Sequence, residues 1–81
     1  MVEVHLWSGL RRFVEGRDTI HVQAKTVGEV FDAINADYPA LRPVLDAGVS
    51  ISVDGQIIVA GRHEPIRDDS EVFLLQKLKG G

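Results

Sequence analysis

Residues 26–34 read TVGEVFDAI, and this stretch predicts the main helix of the chain. Thr26, followed three residues later by Glu29, has the form of a capping box, in which both side chains accept hydrogen bonds from free amides at a helix start. The large apolar residues recur at helical spacing and form one buried stripe, which consists of Val27, Val30, Phe31 and Ile34. Pro39 ends the helix, because the residue before a proline is driven out of the helical region.

Strands are predicted on both sides of this helix. Apolar and polar residues alternate over residues 2–7 and 19–23, which is the pattern of half-buried strands joined by a long loop. After the helix, residues 50–53 and 56–59 flank Asp54-Gly55, a strong hairpin signal. The apolar run Val72-Phe73-Leu74-Leu75 predicts a last strand.

The segments between these elements are less regular. Leu10, Phe13 and Val14 have helical spacing and predict a short turn, and residues 41–45 predict a further short helix that Gly48 closes. Residues 61–71 are polar and predict an exposed connection. The resulting order, β-β-α-β-β-β, favours an α+β fold with one sheet and a helix across one face.

Composition excludes several functional classes. The 81 residues suit one small domain, and a net charge of −3 leaves no broad cationic surface for nucleic acid or anionic lipid. The absence of cysteine excludes disulfides, thiolate metal sites and a thiol nucleophile. No apolar run approaches the roughly 20 residues of a membrane span, and no signal peptide precedes the first strand. We expect a cytoplasmic protein with no nucleic-acid or membrane partner.

The sequence ends in Gly80-Gly81, and this pair is the most informative motif for function. It caps no predicted helix and closes no predicted turn, so the glycines have no structural role there. Without side chains, a diglycine can be threaded into a narrow channel. We expect residues 1–81 to form a single domain with a flexible C-terminal tail over residues 76–81.

Together, the order of elements, the size and the tail resemble the MoaD/ThiS family of sulfur carriers, which are β-grasp relatives of ubiquitin. The resemblance covers almost the whole chain and depends on the order and spacing of short motifs. The matching segments are residues 6–11 (LWSGLR), 26–30 (TVGEV), 38–41 (YPAL), 53–55 (VDG), 65–72 (PIRDDSEV) and 80–81 (GG). The fold implied is a ubiquitin-like β-grasp, with a mixed sheet of four to five strands and one main helix on one face.

The function implied by this resemblance is that of a carrier and not of an enzyme. In the family, an ATP-dependent activating enzyme, an adenylyltransferase, adenylates the terminal carboxylate, here that of Gly81, while Gly80 provides clearance. A persulfide sulfur donor then displaces AMP, and the resulting thiocarboxylate delivers sulfur to a downstream acceptor enzyme. The carrier needs no cofactor of its own, because ATP is the substrate of its partner.

The tail differs from that of many family members. Those members have prolines before the diglycine, whereas residues 76–79 here are QKLK, closer to the basic tail of ubiquitin. This difference weakens the case for molybdopterin synthase, although a role as the small subunit of such a sulfur-transferring enzyme stays open. Sulfur delivery for thiamin, cysteine or tRNA biosynthesis stays open, as do two alternatives: a modifier conjugated to lysines of target proteins, and a non-covalent β-grasp interaction module.

The last strand predicts a docking surface for the activating enzyme. If Val72 and Leu74 face the helix, alternation places Phe73 and Leu75 on the opposite face of the sheet. Such exposed apolar groups mark interfaces, so we expect these two side chains and Trp7 to contact partners. In the tail, we expect Leu78 to be a further partner contact. Lys77 and Lys79 are expected to pair with acidic groups at a channel mouth or with ATP phosphates on the partner, and the alternative is that they serve solubility alone.

The histidines form no predicted metal site. If the first two strands pair around the centre of their loop, His5 lies opposite His21 on the outer face. A third ligand is missing unless His63 reaches over, and metal sites usually need three or four ligands. The sequence shows no Ser-His-Asp spacing, phosphate loop or paired catalytic carboxylates, so we expect no catalytic residue.

Overall fold

The computed structural model describes residues 1–58 and 61–76, which form five strands and two α-helices. The strands are β1 (Val2–His5), β2 (Thr19–Val22), β3 (Val49–Val53), β4 (Gln56–Ile58) and β5 (Glu71–Gln76). The helices are α1 (Val27–Asp37) and α2 (Arg42–Ala47). Of two short 3-10 helices, Ser8–Phe13 falls where the sequence predicts a helical turn, and Pro39–Leu41 directly precedes α2, which corresponds to the short helix predicted over residues 41–45.

The strands form one mixed sheet in the order β2-β1-β5-β3-β4. The central strand β5 pairs parallel with β1 and antiparallel with β3, while β1–β2 and β3–β4 are antiparallel hairpins. The predicted mixed sheet with one main helix on one face is therefore confirmed. Within the described residues, no helix is long and apolar enough to cross a membrane.

The core lies between α1 and the inner face of the sheet. Val72 and Leu74 of β5 are almost fully buried and belong to the same cluster as Val30 and Ile34 of α1. The predicted inward orientation of these two β5 side chains is confirmed. Each such side chain stabilises the fold by roughly 1.5–3 kcal/mol when it is fully buried.

The start of α1 is capped nearly as predicted. The Thr26 hydroxyl accepts a hydrogen bond from the Glu29 amide at 3.2 Å, which satisfies one of the free amides of the first turn. The Glu29 carboxylate accepts from the amide of Lys25 at 3.0 Å, one residue before the cap residue itself. These two hydrogen bonds therefore stabilise both the first turn of α1 and the residue that precedes its cap.

The connection before β5 is not simply the exposed loop that the sequence predicts. The carbonyl groups of Arg62 and Glu64 accept hydrogen bonds from the first two amides of α1, at 2.9 and 3.0 Å, and Ile66 is buried. The physical reason is that the amides of a first helical turn lack partners within the helix. The connection supplies those acceptors, a long-range contact that polarity alone does not indicate.

The hairpin turn at Asp54-Gly55 is confirmed. Both residues have positive φ, 51° and 86°, as a two-residue turn between twisted strands requires. Element ends differ slightly from the prediction: β1 stops at His5 and β2 at Val22. Gln76, predicted to begin the tail, is the last residue of β5, whereas Val59 of the predicted fourth strand lies outside the described residues.

Candidate functional site

The outer face of the sheet, opposite α1, carries a continuous row of side chains across all five strands. The register places His5 beside Phe73, Phe73 opposite Ser52, and Ser52 opposite Ile57. Thr19 of β2 completes the row opposite His5. Paired residues share a face of the sheet, so this row spans the outer face from β2 to β4. We call it the cross-sheet row.

Phe73 lies at the centre of the cross-sheet row. Its ring stacks on the imidazole of His5, with centroids 4.4 Å apart and an interplanar angle of 16°. Phe73 is half-buried, because one face of its ring is covered by a strand neighbour. The sequence prediction that Phe73 points away from α1 agrees with this arrangement, while its role in docking stays a prediction.

The other predicted apolar contacts lie near Phe73 but do not all join it. Leu75 is half-buried, two residues further along the same face of β5, and lies opposite Ser50. Trp7 follows the end of β1, and its indole covers Gly9: a Cβ at Gly9 would lie 3.0 Å from the indole nitrogen. The Trp7 ring therefore packs onto the 3-10 helix Ser8–Phe13.

Sequence reasoning missed Ile57. Its side chain is 60% exposed, whereas Ile58 beside it is half-buried. Alternation within β4 predicts that these two side chains point in opposite directions, but it does not say which one faces the helix. The register of β3 with β4 decides this and adds Ile57 to the cross-sheet row.

The predicted pairing of His5 with His21 is wrong. The register places His21 opposite Glu3 and His5 opposite Thr19, because the β1–β2 pairing is shifted by two residues from the expected one. The Glu3 carboxylate lies between the two imidazoles, 3.1 Å from Nε2 of His5 and 3.5 Å from Nε2 of His21. Among the residues that the structure describes, no three His, Cys, Asp or Glu side chains form a group able to hold a metal ion.

The predicted tail residues Lys77, Leu78, Lys79, Gly80 and Gly81 lie outside the described residues. The point from which they continue is nonetheless defined. β5 ends at Gln76, which pairs with Val49 at the start of β3. The tail therefore continues from the central strand of the sheet, at the edge where β1 also ends.

The outer face of the sheet therefore carries the cross-sheet row, and the central strand of that sheet ends at Gln76. The face presents the ring of Phe73 and the aliphatic side chains of Leu75 and Ile57 among the polar side chains of Thr19, His5 and Ser52, and aromatic residues are enriched in protein interfaces.

Comparison with a protein-family model gives a match over residues 4–81 to the ThiS family. The match includes β5 and residues 77–81. No curated protein matches the sequence.

Solved structures share the fold over nearly the whole chain. SAMP1 from Haloferax volcanii is 26% identical with a TM-score of 0.76, and the match covers 99% of this chain and 98% of that one. A chain of the BexX/CysO complex of Amycolatopsis orientalis is 18% identical with a TM-score of 0.83, and both chains are fully covered. A chain of the complex of molybdopterin-converting factor subunits 1 and 2 from Helicobacter pylori is 21% identical with a TM-score of 0.70, at 99% and 97% coverage. These likenesses confirm a ubiquitin-like β-grasp fold.

Proposed function

Since the chain belongs to the ThiS family, we propose that it is a sulfur carrier whose cargo is held as a thiocarboxylate on Gly81. The observation that carries the proposal is the family match itself, which extends from β1 through the diglycine at residues 80–81. In the sequence, only residues 77–79 separate this diglycine from the end of the central strand β5. A partner that holds the outer face of the sheet thereby holds the start of the tail.

The proposed chemistry occurs at the carboxylate of Gly81. A carboxylate oxygen attacks the α-phosphorus of ATP, and pyrophosphate leaves. The sulfur of a persulfide then attacks the acyl carbon, and AMP leaves. A thiol of the partner cleaves the sulfur–sulfur bond, which forms a disulfide on the partner and frees the thiocarboxylate. Adenylation is needed because a carboxylate is a poor electrophile, and its mixed anhydride with AMP is a good one.

All catalytic groups for these steps belong to the partners in this proposal. The carrier contributes the carboxylate, a narrow tail and a docking face, so that binding of the folded domain positions the reacting atom. The structural neighbours include chains solved in complexes with other proteins, BexX/CysO and the two subunits of molybdopterin-converting factor. We propose that Phe73, Leu75 and Ile57 contact the activating enzyme, and that ATP is the only nucleotide required.

Intact-mass spectrometry tests the proposal. The chain is incubated with ATP, a sulfur source and an adenylating enzyme of the carrier-activating class, and the expected mass change is the replacement of one oxygen by sulfur. Deletion of Gly81 should abolish this change. The variant Arg67→Ala is the matched control, since it alters an exposed side chain of the connection before β5 and retains the terminal diglycine. An unmodified wild-type chain across a panel of such enzymes contradicts the proposal.

A second candidate function, conjugation to proteins, is favoured by the 26% identity to SAMP1 from Haloferax volcanii, whose name denotes a small archaeal modifier protein. The activation step is the same, but the acyl adenylate is then attacked by the amine of a target lysine to form an isopeptide bond. Mass spectrometry of cell extracts distinguishes the two functions. Gly-Gly remnants on target lysines after proteolysis support a modifier, and their absence beside a thiocarboxylate supports a carrier.

A further inference from the structure

Phe73 has an aromatic neighbour on one side and a small neighbour on the other. The imidazole of His5 stacks on the ring from β1, with centroids 4.4 Å apart and an interplanar angle of 16°. From β3, the residue that pairs with Phe73 is Ser52, whose side chain is too small to support a ring. Within residues 1–58 and 61–76, His5 is the aromatic side chain that stacks on Phe73, so it limits the movement of that ring.

His5 is itself held in place. Its side chain is 26% exposed, and its Nε2 atom is shielded from solvent. The Glu3 carboxylate lies 3.1 Å from that atom, and Thr19 pairs with His5 from β2. Among the described residues, Nε2 finds no aligned hydrogen bond, so hydrogen bonding at that atom does not account for the orientation of the imidazole. The contact that uses the flat face of His5 is the stack on Phe73.

His21 provides a comparison within the same sheet. It lies opposite Glu3, and its Nε2 atom is 3.5 Å from the second carboxylate oxygen. Its side chain is 56% exposed, about twice the exposed fraction of His5. The two imidazoles therefore lie beside one carboxylate, but the stack on Phe73 belongs to His5.

We propose that His5 is a positioning residue, whose imidazole holds the ring of Phe73 in the orientation that the activating enzyme binds. An anchor that is ordered before binding loses less conformational entropy when the interface forms. The inference rests on the proposed function, since the activating enzyme is the partner that contacts Phe73. His5 acts through that ring and needs no contact of its own with the enzyme.

Steady-state kinetics of thiocarboxylate formation, with the carrier as the varied substrate, test the inference. We expect His5→Ala to raise the KM on the order of fivefold, the effect of losing one aromatic pair, with kcat unchanged because the carboxylate of Gly81 is intact. His5→Phe retains a ring beside Phe73, so its KM is expected to stay within about twofold of the wild-type value. Thermal melting of each variant verifies that it is folded.

The matched control is His21→Ala, which removes the other imidazole beside Glu3 and leaves the stack on Phe73 in place. We expect its KM to stay close to the wild-type value. A double variant separates positioning from direct contact. If His5 acts through Phe73, adding His5→Ala to Phe73→Ser raises the KM no further than Phe73→Ser alone.

NMR spectroscopy supplies a readout that does not depend on activation. The ring current of Phe73 is expected to shift the carbon-bound protons of the His5 imidazole upfield of those of His21, because His5 lies over the face of that ring. The shift should disappear in Phe73→Ser. A shift that persists in this variant contradicts the stack and overturns the inference.

Three kinetic results also overturn the inference alone: a wild-type KM for His5→Ala, an equal rise in KM for His5→Phe, or additive effects in the double variant. A wild-type KM for Phe73→Ser overturns the docking role of that ring. A wild-type chain that acquires no sulfur overturns the proposed function instead, and the intact mass separates this outcome from the others.

Discussion

At Gly28, the second residue of α1, the helix has no room for a side chain. A Cβ there would lie 2.9 Å from Cβ of Arg62 and 3.0 Å from its Nε. Arg62 crosses the helix at this point, and its guanidinium donates to both carboxylate oxygens of Asp32 at 3.1 Å. That ion pair is exposed and contributes little stability. The contact between Arg62 and Gly28 matters chiefly because it lets the connection before β5 pack closely against α1.

We expect Gly28→Ala to lower the free energy of unfolding by roughly 1 kcal/mol. The clash with Arg62 costs about 1–3 kcal/mol, which exceeds the gain of about 1 kcal/mol from the better helix propensity of alanine. Urea denaturation measures the change. The control is Ala36→Gly at an exposed site of the same helix, where alanine is the better residue. A Gly28→Ala variant more stable than the wild type contradicts this explanation.

Among the elements, the β3–β4 hairpin is joined to the central strand through its turn. The Asp54 amide donates to the Glu71 carbonyl at 2.8 Å, and the Glu71 amide donates to Oδ1 of Asp54 at 2.8 Å. Asp54 also has a positive φ, a conformation that aspartate and asparagine tolerate better than most residues. One residue therefore shapes the turn and secures the start of β5.

Replacement of Asp54 tests this double role. Asp54→Ala removes the acceptor of the Glu71 amide and is expected to destabilise the fold by about 1–2 kcal/mol. Asp54→Asn keeps both the oxygen and the tolerance for positive φ, so we expect it to be close to the wild type. The comparison is made by thermal melting, and equal stability of the two variants contradicts the assigned contact.

In the molecule as a whole, the sheet separates a face that packs against α1 from an outer face that carries the cross-sheet row. Adjacent residues of β5 point to opposite faces of the sheet. Leu74 lies on the face that packs against α1 and is only 1% exposed, whereas Phe73 lies on the outer face and stacks on His5. Stability and the proposed docking can therefore be altered separately in the central strand. The tail lies outside the described residues but continues from that strand.

We expect Phe73→Ser to leave the fold intact and to reduce activation by the adenylating enzyme at least on the order of tenfold, as loss of an aromatic anchor in an interface does. The control is Leu74→Ala, which creates a cavity and lowers stability by about 2–5 kcal/mol, while the outer face is retained. The measurements are urea denaturation and the initial rate of thiocarboxylate formation at a temperature where both variants are folded. Wild-type activation of Phe73→Ser excludes the docking role.

The sequence by itself determined the elements and the faces that they present. The helix at residues 27–37, the Asp54-Gly55 turn and the inward side chains of β5 all follow from local physics, since caps, positive φ and side-chain periodicity act over a few residues. The same alternation predicted that Phe73 and Leu75 share the face opposite α1. Their role as partner contacts stays a prediction, as does that of the diglycine.

Only the tertiary structure decided which distant residues meet. The β1–β2 register placed Glu3 between His5 and His21, and the β3–β4 register brought Ile57 into the cross-sheet row. The physical reason is that strand register depends on burial and turn geometry across the whole sheet, and a shift along one strand changes every cross-strand neighbour.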